Sequence, residues 1–348
     1  MKSKFFFFIL IFTLISCKKD QKTATEEWHV ISDQVRFKSN DQTFELHSGK
    51  FKYNLPQSKL PYRRVMLLNA SLVGYVAELG AEEKVIGLSS PEYIFSPKLN
   101  EMLVNDAVQN IGNEQKYDIE KIIALKPDVV FSNYIATFDN TYDLLRKNGI
   151  EIIFLDEYLE QNPLKKAEYL LLFGKLLGKE KLANERLACI SSAYDSLKSL
   201  AKKAQTRPKV LANEMYGNQW FLPGGRTALA QLIKDANAVY INADNPETKA
   251  VPMSFEEVLA RAAEAKFWVN VGNHRAKKEL LQINPNYAQM PAYQLGKLYT
   301  LSGRERGRAN DFFESGVVRA DIVLKDYIKI FHPELLPEYE LTYLKELK

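Results

Sequence analysis

The sequence predicts an α/β protein with two lobes, each a mainly parallel sheet covered by helices, joined by one long helix. Short apolar strands alternate with helices after Pro61, which indicates parallel strands connected by helical crossovers. This alternation stops at Pro163, where about forty residues carry no strand pattern, and it resumes after Pro208. A chain of 348 residues is long enough for two domains with separate cores.

The first lobe is predicted over residues 61–160. Its strands are short apolar runs, and its helices end at Gly80 and at Asn148-Gly149, which are typical helix-terminating residues. The predicted strands cover residues 64–69, 84–88, 128–131 and 150–155, and the predicted helices cover residues 70–79, 118–125 and 140–147. Together they predict one open sheet.

Residues 161–206 are predicted to form the helical connection between the lobes. Leucines recur at helical spacing up to Gly178, and a second amphipathic run begins near Glu180. A helix of about 25 residues would extend roughly 37 Å, which is enough to pass from one lobe to the other. Cys189 lies in this second run, where we expect a small buried side chain.

The second lobe is predicted over residues 207–331, followed by a C-terminal tail at 332–348. It repeats the alternation of strands and helices after Arg207-Pro208. The predicted strands cover residues 209–213, 266–271 and 297–301, and the predicted helices cover residues 227–235 and 254–262.

Residues 1–17 are typical of a lipoprotein signal peptide. Lys2 and Lys4 precede an apolar run that is too short to span a membrane. The tetrapeptide that ends at Cys17 is similar to a bacterial lipobox, in which the cysteine is lipidated and becomes the new N-terminus. Attachment through more than one acyl chain gives stable anchoring. The sequence therefore predicts an exported lipoprotein held to a membrane through Cys17, facing the periplasm or the outer surface of a Gram-positive cell.

Residues 18–60 are predicted to be a polar tether followed by a short β extension. Three runs alternate apolar and polar residues, and turn residues separate them, which favours a small antiparallel sheet. The runs cover residues 35–37, 44–46 and 51–53.

Composition and motifs exclude several classes of function. The formal net charge is only +4, from 47 basic and 43 acidic residues, and it is not clustered as a nucleic-acid surface requires. None of the four histidines forms an i, i+4 pair, which argues against a zinc site built from histidines. Nucleophile-elbow, zincin, P-loop and dinucleotide motifs are absent from the sequence, so we do not expect an enzyme.

One short pattern occurs once in each lobe. Asp118 and Ser254 are helix-capping residues, and each is followed two positions later by a glutamate, Glu120 or Glu256. An acid in the first turn is also favoured by the helix dipole alone, so one copy would carry little weight. Two copies at the same place in the strand and helix order indicate an approximate internal symmetry. Two such acids match a symmetric dimeric partner that bears arginine or lysine.

The residues around these copies resemble the class III substrate-binding proteins of ABC importers, which receive ferric siderophores, haem or vitamin B12. The match is clearest from Tyr117 to Val130, and the further matching segments follow in the family's order over residues 61–331. They are Arg64-Val65, Leu79-Gly80-Ala81, Val85-Ile86-Gly87, Leu176-Leu177-Gly178-Lys179, Arg207-Pro208-Lys209-Val210 and residues 254–260.

The resemblance implies two Rossmann-like lobes with a ligand cleft between them, bridged by a rigid helix. It also implies that Glu120 and Glu256 pair with arginines of an ABC permease dimer, which works with its ATPase subunits. The protein itself would be a monomer without a cofactor, because the metal arrives already chelated. The extension before residue 61 departs from the commonest members of the family.

Ligand contacts are expected on the loops at strand ends and helix N-termini that face the cleft. Aromatic side chains there would stack on a flat ligand, and arginines would pair with the carboxylates of an anionic chelate. A rim or core position for each aromatic residue, and a solvated basic loop for the arginines, are the alternatives. The candidates are Tyr93, Tyr117, Tyr134, Tyr216, Trp220, Arg275, Arg304, Arg306 and Arg308.

The charge of these arginines favours an anionic ferric siderophore as the ligand. A corrinoid such as vitamin B12 would require mainly aromatic walls, and haem is a further alternative within the same family. A surface adhesion or assembly lipoprotein is the alternative from another class, and it predicts no binding of small molecules.

Overall fold

The computed structural model describes residues 27–348. The predicted signal peptide, Cys17 and most of the predicted tether lie outside the described residues. Within the described part of the chain, no helix is both long enough and apolar enough to cross a lipid bilayer.

The N-terminal extension forms a four-stranded antiparallel sheet in the order β1-β2-β3-β4. Alternate side chains such as Phe44 and Leu46 point inward and are fully buried in the core of the first lobe. The three predicted runs are therefore confirmed as strands, and the extension belongs to the packing of that lobe. The strands are β1 (His29–Val30), β2 (Val35–Ser39), β3 (Thr43–Ser48) and β4 (Phe51–Pro56).

The first lobe contains a five-stranded parallel sheet in the order β11-β10-β5-β6-β7. This is the doubly wound order, in which the sheet grows outward on both sides of its first strand. Its strands are β5 (Val65–Leu67), β6 (Val85–Leu88), β7 (Gln109–Asn110), β10 (Val129–Ser132) and β11 (Glu151–Phe154), with a β8 (Gly112–Asn113) and β9 (Lys116–Tyr117) hairpin between β7 and β10. Its helices are α1 (Ala70–Glu78), α2 (Pro97–Val104), α3 (Ile119–Leu125) and α4 (Asp139–Lys147).

Two consecutive helices, α5 (Pro163–Leu177) and α6 (Glu180–Ala201), connect the lobes. Gly178 separates them in the left-handed conformation, with φ of 68°, which glycine adopts at little cost. The 22 residues of α6 span about 33 Å. Its first half packs on α5 through Ala183 and Ile190, and its second half enters the other core through Tyr194 and Ala201. The predicted bridging helix is confirmed as α6.

The second lobe contains a sheet in the order β15-β12-β17-β18-β21, parallel except for β21. Its strands are β12 (Lys209–Ala212), β15 (Val239–Tyr240), β17 (Ala265–Val271), β18 (Leu298–Thr300) and β21 (Lys345–Glu346). Outside this sheet lie β13 (Met215–Tyr216), β14 (Gln219–Pro223), β16 (Ala250–Met253), and a β19 (Glu305–Arg306) and β20 (Ala309–Asn310) hairpin. The helices are α7 (Ala228–Asp235), α8 (Phe255–Arg261), α9 (Leu280–Ile283), α10 (Pro291–Leu295), α11 (Ser315–Val318) and α12 (Ala320–Phe331).

The chain returns to the first lobe at α11, which the sequence did not predict. Val318 is fully buried in the core of the first lobe, although it lies between elements of the second. Gly74 of α1 provides the space, because a Cβ atom there would lie 2.1 Å from the carbonyl oxygen of Glu314. The lobes are thus connected by α6 and also held together through α11.

The expectation of a buried Cys189 is wrong, because this thiol is exposed on α6. The helix buries only a narrow set of side chains, which includes Ile190 and Tyr194. Position 189 lies outside that buried stripe.

Candidate functional site: the cleft between the lobes

A cavity of about 520 Å³ lies between the two lobes. From the first lobe, its lining comes from the residues that follow β5, β10 and β11, and from the second lobe it comes from α7, α11, α12 and the end of β17. In each sheet the order of strands reverses beside the first strand, β5 or β12. Ligands of open α/β sheets bind outside the carboxyl ends of the strands at such a point. The cavity therefore occupies the position where a ligand is expected.

The first lobe supplies the polar floor of the cleft, which comprises Asn69, Ser71, Asn133, Glu157 and Lys166. The Asn133 side-chain amide donates to Glu157 Oε2 at 3.1 Å and to the carbonyl oxygen of Leu155 at 2.6 Å. Asn69 Oδ1 accepts the backbone N–H of Asn133 at 2.9 Å. These bonds fix the floor before any ligand arrives.

Glu157 and Lys166 are the charged groups of the polar floor. Burial raises the pKa of the Glu157 carboxyl group, while hydrogen bonds from Ser71 and Asn133 oppose that rise. Burial lowers the pKa of the Lys166 ammonium group, and the carboxylates of Glu157 and Glu160 counteract the effect. Each charge thus partly compensates for the desolvation of the other.

The second lobe supplies an apolar wall, which comprises Leu229, Leu232, Phe312 and Val323, and Val317 of α11 extends it. At its edge lies Asn270, whose Oδ1 accepts a hydrogen bond from Tyr327 at 2.8 Å. Asn270 has φ of 54° and interrupts the register of β17 with β18, as a bulge does. Left-handed backbone at a non-glycine residue is strained, and such strain concentrates at functional sites.

Two exposed aromatic side chains from opposite lobes lie at the mouth of the cleft. Tyr158 is 53% exposed and Phe313 is 56% exposed, and both line the cavity. Large apolar groups that remain this accessible beside a cavity are available for stacking on a ligand.

An interlobe contact, formed by residues 93–96 and the side chains of Arg306, Arg308 and Glu314, fastens the lobes to each other. Arg306 Nη2 donates to the carbonyl oxygens of Ile94 and Phe95, each at 3.2 Å. The Glu314 carboxylate accepts the backbone N–H groups of Phe95 at 2.7 Å and Ser96 at 2.9 Å. Arg308 donates to the Tyr93 hydroxyl group and lies 4.6 Å from the centre of its ring.

None of the nine predicted ligand contacts lines the cavity. Tyr117 and Trp220 are buried in the cores, where Tyr117 lies against Phe138 and the Trp220 indole donates to the carbonyl oxygen of Ala212. Tyr134 packs against Phe51 of the extension. These three aromatic side chains contribute to folding, so the expectation that they contact ligand is corrected.

The other six candidates lie on the surface or in the interlobe contact. Tyr216 is 83% exposed at the β13–β14 turn, and Arg275 is exposed on the loop after β17. Arg304 pairs with Asp311 at 3.0 Å. Tyr93, Arg306 and Arg308 join the lobes, as described above. None of the four arginines lines the cavity, and the side chains of Arg304, Arg306 and Arg308 are bonded elsewhere, which weakens the predicted attraction of an anionic chelate.

Sequence reasoning missed the polar floor, although its signal was present. Asn69 ends a predicted parallel strand, and Asn133 and Glu157 each come two residues after one. The carboxyl ends of parallel strands share one edge of the sheet. The choice of aromatic and arginine side chains by residue type led away from these positions.

Glu120 and Glu256 are both exposed in the first turns of their helices. The Asp118 side chain caps α3, and Lys121 in the same turn donates to the carbonyl oxygen of Asn110 at the carboxyl end of β7. Ser254 and Glu257 form a capping box on α8, directly after Met253, which pairs with Trp220 near the carboxyl end of β12. Both glutamates thus lie at the carboxyl edge of their sheet, which is the edge that borders the cleft.

No group of three or more histidine, cysteine, aspartate or glutamate side chains within residues 27–348 is placed to hold a metal ion. The cleft instead offers hydrogen-bonding groups on one side and apolar surface on the other.

Comparisons with known proteins agree with this geometry. Residues 65–305 match the model of the periplasmic binding protein family. An uncharacterized lipoprotein of Methanocaldococcus jannaschii is 23% identical over 81% of this chain and 68% of its own length. A periplasmic haem-binding protein from Pseudomonas aeruginosa has a TM-score of 0.63 and 18% identity, covering 82% of this chain and 98% of its own. The siderophore-binding protein FhuD from Vibrio cholerae, bound to Fe³⁺-Desferal, has a TM-score of 0.56 and 19% identity. The match covers 77% of this chain and 98% of FhuD. The chain belongs to the periplasmic binding protein family, and its two lobes and bridging helix are those of the class III members that the sequence resembles.

Proposed function

We propose that this protein is the lipid-anchored substrate-binding component of an ABC importer. It captures a chelated metal in the cleft and delivers it to a dimeric permease that works with ATPase subunits. The observation that carries the proposal is the cavity of about 520 Å³ at the carboxyl ends of both sheets, lined by both lobes. A lining shared between two bodies is typical of a binding protein that encloses its ligand.

The delivery step rests on Glu120 and Glu256. Each is an exposed carboxylate near the cleft, one on each lobe, at equivalent points of the strand and helix order. Charged groups arranged in this way steer and orient docking onto a complementary basic surface. We assign them to pairing with arginines of the two permease subunits.

A ferric siderophore is the leading ligand, and a corrinoid or haem is the alternative. The neighbour from Vibrio cholerae binds an iron siderophore complex, and neighbours from Pseudomonas aeruginosa and Roseiflexus bind haem. The combination of a polar floor and an apolar wall favours an amphipathic chelate. The exposed Tyr158 and Phe313 provide stacking surfaces at the mouth for a flat macrocycle as well.

Anchoring through diacylated or triacylated Cys17 would keep the protein beside its permease on the outer face of a membrane. The sequence signal is the short apolar run that ends in a lipobox-like tetrapeptide. Two of the relatives from Methanocaldococcus jannaschii are named lipoproteins. Mass spectrometry of the membrane fraction tests this part directly, since a Cys17→Ser variant would lose the acyl groups and the membrane association.

Titration calorimetry with a panel of ferric siderophores, cyanocobalamin and haemin tests the binding function. We expect at least one chelate to bind with one-to-one stoichiometry. A Leu229→Trp substitution, which places an indole ring in the cavity, should weaken that binding at least tenfold. Leu144→Trp on the exposed side of α4 is the matched control and should leave it unchanged. Absence of binding across the whole panel would contradict the proposal.

A further inference from the structure

We propose that the cleft selects a metal chelate that carries no net negative charge, with the apolar face of the chelate against the second lobe and its polar face on the first. The inference deepens the proposed function and rests on it, since it assumes that the ligand is a chelated metal. It reverses the charge preference that the arginines of the sequence suggested.

The charges that line the cavity are the first reason to expect this selection. Among the described residues, Lys166 is the only cation in the lining, whereas Glu114 and Glu157 provide two carboxyl groups. Lys166 already interacts electrostatically with Glu157 and Glu160. An anionic chelate would have to give up its hydration beside two acids, with a single cation to compensate for the loss.

Three of the arginines that the sequence offered to an anion are committed to structural contacts. Arg306 bonds two carbonyl oxygens across the lobes, and Arg308 bonds and stacks on Tyr93. Arg304 pairs with the buried Asp311. Turning any of them toward the cleft would break an interlobe bond or leave a buried carboxylate unpaired, which costs more than a surface ion pair returns.

The neutral hydrogen-bonding groups are the second reason to expect this selection. Asn69 and Asn270 face the cavity from opposite lobes, and each uses its side-chain oxygen as an acceptor within the protein. Their amide NH₂ groups have no hydrogen-bond partner in the part of the chain that the structure describes. Two unpaired neutral donors are suited to amide or hydroxamate carbonyl oxygens on an uncharged chelate surface.

The apolar wall is the third reason, because it makes one side of the cleft apolar and leaves the other side polar. Leu229, Leu232 and Val323 offer no polar atom to a charged substituent, while the polar groups of the first lobe lie opposite. A chelate with charge spread over its whole surface would bury part of that charge against the wall without compensation. A chelate with hydrocarbon linkers on one side and amide groups on the other avoids this cost.

One iron core with three different net charges tests the inference. Ferrioxamine B carries one positive charge, its N-acetyl derivative is uncharged, and its N-succinyl derivative carries one negative charge. We expect the cationic and uncharged forms to bind wild-type protein at least about tenfold more tightly than the anionic form in titration calorimetry at neutral pH. Equal or tighter binding of the N-succinyl derivative would overturn the inference.

One substitution, with a control, tests whether the polar floor causes the charge preference. Glu157→Gln keeps the acceptor for Asn133 but removes the negative charge, and it should reduce the difference between the cationic and anionic derivatives to less than about threefold. Lys165→Gln is the control. It removes a cation on α5 that pairs with Glu168 at 3.0 Å outside the cavity, and it should leave the binding of the three derivatives unchanged. An unaltered charge preference in Glu157→Gln, with a melting temperature like that of wild type, would contradict the role of Glu157.

Further ligands separate failure of this inference from failure of the proposed function. Binding of cyanocobalamin, which lacks net negative charge, supports both. Tighter binding of a ferric tricatecholate or of haemin than of any uncharged chelate overturns the charge selection and leaves the transport function intact. If every chelate fails to bind, the proposed function fails first.

Discussion

At the scale of single residues, Glu314 has the most distinctive environment in the interlobe contact. It is only 2% exposed, and burial raises the pKa of its carboxyl group to about 7, with nearby Asp311 adding to the rise. Three interactions lower this pKa and so oppose the rise: hydrogen bonds from the backbone N–H groups of Phe95 and Ser96, and the positive charge of Arg306. The folded protein therefore binds a proton at Glu314 over a pH range in which the unfolded chain has already released it.

This pKa predicts how stability depends on pH. Between about pH 4.5 and pH 7 the contribution of Glu314 to the free energy of unfolding should fall as pH rises, by up to about 3 kcal/mol in total. Glu314→Gln cannot titrate, so its free energy of unfolding should change less over this interval than that of wild type. Urea unfolding at pH 4.5, 6 and 8 measures the difference, and parallel curves for the two proteins would show that the pKa assignment is wrong.

The residues of the site were harder to predict than the fold, and Trp220 and Glu157 show why. An aromatic residue near a strand end is as suitable for a core as for a ligand, and Trp220 packs 5.4 Å from Trp268 inside the second lobe. Glu157 is a single acid among many, and only its burial beside Asn133 in three dimensions marks it. Local sequence carries residue type and strand position, whereas contact with the cleft depends on both lobes together.

At the scale of elements, the contact of α1 with α11 depends on Gly74. A Cβ atom at this position would lie 2.1 Å from the backbone oxygen of Glu314, and backbone cannot move aside cheaply. Gly74→Ala should therefore lower the free energy of unfolding by about 2–3 kcal/mol in urea denaturation.

Gly316 of α11 provides the matched control for Gly74. A Cβ atom added at Gly316 would have the Phe312 side chain as its nearest neighbour, at 3.5 Å, which is an ordinary van der Waals contact. Gly316→Ala should therefore change the free energy of unfolding by less than about 1 kcal/mol. Equal effects of the two substitutions would mean that α1 and α11 do not pack as closely as described.

The N-terminal extension covers an edge of the first sheet. β11 is an edge strand, and its Phe154 N–H donates to the Tyr53 hydroxyl group of β4 at 2.9 Å. Exposed edges are prone to pairing with other chains, so a covering sheet protects the lobe. This contact gives a structural role to the extension.

Removing the Tyr53 hydroxyl group should lower the free energy of unfolding. Tyr53→Phe leaves the Phe154 amide without its acceptor, which should cost about 1–2 kcal/mol and accelerate hydrogen exchange of this amide. Tyr299→Phe is the control, since the Tyr299 hydroxyl group makes no hydrogen bond within residues 27–348. Unchanged exchange at Phe154 in Tyr53→Phe would argue against edge protection.

The elements that could be predicted carry local signals at their ends. Asp118, Asn162 and Ser254 cap helices with their side chains, and Gly178 ends α5 in the left-handed conformation. These features depend on a few adjacent residues, so the limits of the predicted strands and helices agree with the structure to within about three residues, whereas α2 and α12 were not predicted. The return of α11 to the first lobe has no such local signal, because it follows from packing between distant segments.

At the scale of the whole molecule, several connections hold the lobes around the cleft. α6 contributes side chains to both cores, α11 places Val318 in the first core, and the interlobe contact adds hydrogen bonds from Arg306 and Glu314. Lobes connected in this way form a largely preorganised site, which reduces the entropy lost when a ligand binds. The same rigidity would keep Glu120 and Glu256 at a fixed spacing, as the proposed docking onto a permease dimer requires.

The central claim is that this carrier binds a chelate in its cleft and presents it to a twofold permease through Glu120 and Glu256. The most direct test measures chelate affinity and cellular uptake for a Glu120→Arg, Glu256→Arg double variant, with Glu101→Arg on α2 as an exposed control. We predict that the double variant keeps wild-type affinity and loses uptake, while the control keeps both. Uptake at the wild-type rate by the double variant, or loss of its affinity for the chelate, would contradict the account.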